Sequence, residues 1–150
     1  MIRRPPRSTL SSSSAASDVY KRQPLLMVLI IFIWTPPHFW ALSINRKEDY
    51  LAAKIPMMPV IKGIEYTKIQ IALYSVLLAT VSLFPFATGY LGGFYFLSGV
   101  LLNVIFIGMA VALIFDKTNK LALPLFLYSI VYLTALFIFM VLDRLIPIQL

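Results

Sequence analysis

The stretch WTPPHFWALSINRKEDY, Trp34 to Tyr50, concentrates the residues of this chain best suited to chemistry. It holds the one histidine, His38, and the run Asn45, Arg46, Lys47, Glu48, Asp49, directly after the apolar segment PLLMVLIIFI. On a helix, Trp34, His38, Leu42 (or Ala41), Asn45 and Asp49 (or Glu48) recur at spacings of four and three and so share a face. If that helix is continuous, His38 and Asp49 are ~16 Å apart along it. With Asp49 at the membrane surface, His38 then lies near mid-membrane. Intramembrane ionisable groups are scarce and usually face an interior or a cavity, which favours a functional His38. Pro36-Pro37 removes two N–H donors and predicts a bend, opening a crevice beside His38.

Acids beside several cations at a membrane surface suit an anionic headgroup. Carboxylates hold Mg²⁺, a hard ion that takes oxygen ligands, while Lys and Arg neutralise phosphate. A substrate with a diphosphate head and a long apolar tail would place its head at Asn45–Asp49 and its tail among the helices. Ionising its carbon–oxygen bond needs charge stabilisation on the leaving diphosphate, and aromatic walls to shield the allylic cation from water. Simpler roles compete with these. Arg46, Lys47 and Lys54 suit interface anchors, the proline pair suits a packing kink, and Asn103, alone in its span, suits an interhelical hydrogen bond.

These residues must be positioned by membrane helices. The chain has 150 residues, 60% hydrophobic and 13% charged, against about half and a quarter in soluble domains. With no cysteine, disulfides and thiolate chemistry are excluded. With one histidine, so is a multi-histidine metal or haem site within the chain. Five of the 13 basic residues but only Asp18 among the acids lie in the first 22 residues, leaving +3 of the net +7 for the rest. Nucleic-acid binding is not expected. Residues 1–23, rich in Ser and Arg and without apolar periodicity, read as a non-native or disordered leader resembling translated sequencing-adapter read-through, and are set aside from the fold.

A bilayer core takes ~20 helical residues to cross. Four segments qualify, at about 24–44, 69–88, 94–115 and 121–142. The prediction is an all-α, polytopic membrane helical bundle without sheet. The connection 45–68 carries Arg46, Lys47, Lys54, Lys62 and Lys68, the connection 116–120 carries Lys117 and Lys120, and Gly89–Gly93 carries no charge. Cationic loops stay cytoplasmic, so the first and third connections are expected inside. Alternation puts Pro24 outside, which calls for an odd number of preceding spans or an external N-terminus.

The run WTPPHFWALSINRKEDY, with IPMMPVIKG completing residues 34–63, closely resembles the signature of the protohaem IX farnesyltransferase (haem O synthase) family, a branch of the UbiA superfamily of membrane prenyltransferases. The later helices fit that family's C-terminal part in length and order. The resemblance implies a nine-span fold, in a protein of the bacterial plasma (inner) membrane, of which this chain would hold roughly the last four. It implies transfer of a farnesyl group from farnesyl diphosphate to a vinyl group of haem B, giving haem O, with Mg²⁺ held through the diphosphate. Association with haem A synthase or oxidase assembly factors follows from the same likeness. It implies catalytic roles for His38, Asn45 and Asp49, diphosphate or haem-propionate contacts for Arg46, Lys47 and Lys54, and metal contacts for Glu48 and Asp49. Two departures stand out. Lys54 occupies a position where family members often have Gly, and the family's first motif, of Asn-Asp-x-x-Asp type, is absent, so the 150 residues alone are expected to be inactive. Two other readings remain: another UbiA-type aromatic prenyltransferase, which predicts more acids between 38 and 49, and a non-catalytic bundle or transporter piece, which predicts no dependence on Asp49.

Overall fold

A computed structural model describes the backbone of residues 7–146 and the side chains of residues 22–146. Its helices are α1 (Arg7–Asn45), α2 (Lys47–Ala52), α3 (Met58–Ile61), α4 (Ile64–Ser82), α5 (Phe84–Ala87), α6 (Gly93–Phe115) and α7 (Ala122–Leu145), with no strand among the described residues. Residues 1–6 of the segment read as a leader lie outside the description, and helical backbone begins at Arg7. Four stretches are long and apolar enough to cross a bilayer: Arg22–Asn45, Ile64–Ala87, Gly93–Phe115 and Ala122–Leu145. The chain is an integral membrane protein, an all-helical polytopic bundle.

The long helices form a square ring in which α1 packs on α4 and α7, and α6 packs on the same two. Ile30, Ala41, Ile71, Leu78, Phe106, Leu125 and Leu136 fill the interior, while Phe32, Leu73, Leu101, Val104 and Val131 face outward. Lipid is as apolar as leucine, so burial alone does little to associate such helices and polar stitches matter more. One stitch lies inside the ring. Asn103 donates to the Ser82 hydroxyl at 2.8 Å and accepts from the Tyr132 hydroxyl at 2.7 Å, while the Tyr95 hydroxyl donates to the Ser82 carbonyl at 2.5 Å. Asn103 thus makes the interhelical bonds its lone position suggested, joining α4, α6 and α7.

Two boundaries and the assumed continuity of the first helix differ from the sequence expectation. The second span starts at Ile64 rather than 69, after Gly63 at φ +90. Lys68 therefore sits inside α4, 1% exposed, with its ammonium on the Asp116 carbonyl at 2.7 Å and Glu65 at 3.3 Å. The fourth span runs on to Leu145 and so includes Asp143, whose carboxylate is buried. Finally, α1 stays helical through Pro36 and Pro37 but breaks at Arg46 (φ −111, ψ 26), where α2 begins. The stripe from His38 to Asp49 is therefore not one continuous helix face.

Lys54 shows how the next turn is built. The Lys54 N–H bonds the Leu51 carbonyl at 3.2 Å and the Ile55 N–H bonds the Tyr50 carbonyl at 3.0 Å, the paired pattern of a Schellman cap. Such a cap wants a left-handed residue, and Lys54 takes it with φ +55. A side chain there costs about 1–2 kcal/mol. Lys54→Gly is therefore expected to stabilise the protein by about 1 kcal/mol in a chemical-denaturation titration; a loss of stability would show that the lysine side chain holds the loop.

Candidate functional site

The upper part of the stripe is packed rather than open. His38 is 9% exposed. Its ring stacks between Trp34 (centroids 4.2 Å apart, planes at 22°) and Phe126 (4.6 Å, 26°), with the Phe39 edge at 5.4 Å. The crevice expected beside His38 is thus occupied by aromatic rings. The prolines remove donors, but Pro37 is itself buried and packing holds the helix course.

Ser129 of α7 anchors this layer. The Trp34 indole donates to its carbonyl at 2.9 Å, and His38 Nδ1 lies 2.6 Å from its hydroxyl. That hydroxyl already donates its one proton to the Phe126 carbonyl at 2.5 Å, so the network assigns Nδ1–H of His38 as the donor; in the neutral ring the lone pair is then on Nε2. Both ring faces and Nδ1 of the imidazole are thus engaged within the protein. Neither Ser129 nor Phe126 was singled out in the sequence. Their signal lies in position on a partner helix, not in any local motif.

Two turns further along, at the end of the bundle where the 46–63 and 116–120 connections meet, the structure opens. A cleft of about 330 Å³ is lined by Ile44, Asn45, Lys47, Glu48, Ile64, Thr118, Asn119 and Lys120. The structure therefore brings together three of the expected site residues, Asn45, Lys47 and Glu48, and adds a wall from the 116–120 loop. It leaves the others outside. Asp49 is 71% exposed and sits 3.4 Å from Arg46, a surface pair of the kind that contributes little to stability. Lys54 is exposed at its cap. His38 lies in the packed layer above. No cluster of three or more His, Asp or Glu side chains that could hold a metal occurs among the described residues. The cleft's oxygen donors (the Glu48 carboxylate and the Asn45 amide) nonetheless fit a hard ion that arrives with phosphate oxygens of its own.

The 116–120 wall is held firmly. The Asp116 carboxylate accepts from the Thr118 N–H (3.0 Å), the Thr118 hydroxyl (2.6 Å) and the Leu121 N–H (2.9 Å). The Thr118 hydroxyl and the Leu121 amide hold its pKa down to about 2. With the folded value below the unfolded one, the contribution of this carboxylate is complete above the unfolded pKa and is lost as pH falls through about 2. The loop is therefore intact across the neutral range.

Residues 9–141 match the sequence profile of the UbiA prenyltransferase family. The chain belongs to that family. Its relatives include the protoheme IX farnesyltransferase of Saccharophagus degradans, 54% identical over 120 residues, which are 80% of this chain and 40% of that protein. The protoheme IX farnesyltransferase of Marinobacter nauticus is 50% identical over 131 residues, 87% of this chain and 43% of the relative. That of Legionella pneumophila is 47% identical over 131 residues, 87% and 45%. The chain thus spans less than half the length of these UbiA-family relatives. No solved structure matches it.

Proposed function

We propose that this chain forms the headgroup end of a membrane farnesyltransferase that moves a farnesyl group from farnesyl diphosphate to a vinyl group of protohaem IX (haem B), giving haem O. The observation that carries the reading is the identity of about half of all aligned positions to relatives named for that reaction. The charged cleft at the end of a stripe of intramembrane polar residues supports it.

In this reading the diphosphate head enters at Asn45, Lys47 and Glu48, where Lys47 neutralises phosphate and Asn45 donates a hydrogen bond. Glu48, with Asp49 nearby, would help to hold a Mg²⁺ ion brought by the diphosphate, and the ion would supply charge stabilisation to the leaving group. As the carbon–oxygen bond breaks, the farnesyl carbon bonds to the vinyl group, and water quenches the positive charge left on the porphyrin side. His38 Nε2, unprotonated in its hydrogen-bonded tautomer, is the acceptor available for the proton that this water releases. Arg46 and Lys54, outside the cleft, are assigned to haem propionates or to the membrane surface. The concentration of cations around the two connections supports a cytoplasmic position for them, in a bacterial inner membrane. Association with haem A synthase or oxidase assembly factors belongs to the same reading. The family's first acidic motif is missing from these 150 residues, so the chain on its own is proposed to be inactive.

The test is haem O formation by the full-length gene product. There Asp49→Asn is expected to slow transfer about tenfold, the equivalent of one charge-assisted contact. A rate within twofold of the unaltered protein would remove Asp49 from the site and leave Glu48 as its carboxylate.

A further inference from the structure

The connection 116–120 has features that a simple topological link does not need. Its one acid is consumed internally: both Asp116 carboxylate oxygens accept bonds from the loop itself, and its carbonyl accepts from the buried Lys68 ammonium. The carboxylate keeps its charge, but its oxygens are bonded to the loop's own donors, and Asp116 does not line the cleft. Asn119 is held left-handed at φ +58, with a buried amide atom that has no partner. A buried polar atom left without a partner is costly, and this one belongs to a residue in the wall of the cleft. The amide can present either its oxygen or, turned over, its NH₂ to an incoming group. Beside it, Lys120 lines the same space as Lys47. Among the described residues neither lysine has a carboxylate within salt-bridge distance. Two lysines and two asparagines thus line one cleft with a single acid, Glu48.

We propose that the 116–120 loop is the second wall of an anion-binding site, in which Lys120 and Asn119 grip the same phosphate- or carboxylate-bearing headgroup that Asn45 at the end of α1 and Lys47 at the start of α2 reach from the other side. The inference deepens the farnesyltransferase reading and rests on its placing a headgroup at this end of the bundle. It adds a recognition element that the stretch 34–50 does not contain.

The test uses the full-length gene product in detergent and two probes, inorganic diphosphate with Mg²⁺ and protohaem, titrated separately by calorimetry. Lys120→Ala is expected to weaken one of them about tenfold, with Lys120→Arg restoring most of the affinity. Weakening of diphosphate identifies the phosphate source, and weakening of protohaem identifies the propionates. Asn119→Ala should weaken the same probe as Lys120→Ala. If neither probe changes by more than twofold in Lys120→Ala, the loop is only a connection and the proposal is overturned. Haem O formation by the unaltered protein is measured alongside. Its absence would defeat the farnesyltransferase reading, while the titrations still decide the anion site.

Discussion

Asp143→Ala destabilises the full-length protein by about 3 kcal/mol in a reversible denaturation titration in detergent. The reason is a helix start that cannot cap itself. The first N–H groups of any helix lack intrahelical partners, and α6 begins at Gly92-Gly93, which have no side chain to offer. Asp143 supplies the cap from the far end of α7: its carboxylate accepts the Gly92 N–H at 2.6 Å and the Tyr95 N–H at 3.0 Å. Hydrogen bonds to a charged acceptor contribute about 1.5–3 kcal/mol each, and buried donors left open add their own penalty. The positive end of the α6 dipole favours the same carboxylate. Asp143 is 7% exposed, so water does not readily replace it in the alanine variant. Asp143→Asn keeps one acceptor but turns an NH₂ toward the second N–H, and should lose roughly half as much. Gly92→Ala puts a Cβ 3.3 Å from the Asp143 carboxylate oxygen, tight enough to disturb the cap without removing it, and should be the mildest of the three. A loss below about 0.5 kcal/mol for Asp143→Ala, the usual scale of surface substitutions, would show that the cap does not hold α6 to α7.

The same residue marks the limit of what the sequence discloses. The four spans were legible because bilayer thickness dictates runs of ~20 apolar residues, and such runs are visible without partners. Their ends were misjudged wherever a charge was taken as a signal to leave the membrane. Lys68 and Asp143 remain inside their helices because each finds backbone groups on another helix or loop. Each of those partners is far away in sequence, and no local window contains it. The polar stripe was legible in part. Helical spacing correctly set Trp34, His38 and Asn45 along one face of α1. What that face meets was not written there: Ser129 and Phe126 close over His38, while Thr118, Asn119 and Lys120 leave space beside Asn45. Asp49 fell off the stripe because the helix breaks at Arg46, where no glycine or proline announces the break.

The stacked imidazole sets up the sharpest test of the catalytic reading, because in His38 packing and chemistry can be varied separately. His38→Ala removes the ring between Trp34 and Phe126 and leaves a void, so it should destabilise the protein by about 2–4 kcal/mol whatever His38 does in catalysis. A fall in activity in that variant alone therefore proves little. His38→Phe refills the stack with a ring of similar size, and similar-volume replacements usually cost less than about 1.5 kcal/mol. Ser129 keeps its own bond to the Phe126 carbonyl, so no donor is stranded. What His38→Phe lacks is the Nε2 lone pair. Loss of a positioned proton acceptor slows a reaction about 10²–10⁴-fold, so the phenylalanine variant should hold near-native stability and yet make haem O at least about a hundredfold more slowly. Ser129→Ala separates the tautomer from the ring: Nδ1–H then has no acceptor, and the pH profile of turnover should shift while the stack stays in place. If His38→Phe turns over within twofold of the unaltered protein, the imidazole is a packing element, the stripe is an interhelical seam, and the chemistry lies wholly at the cleft below it.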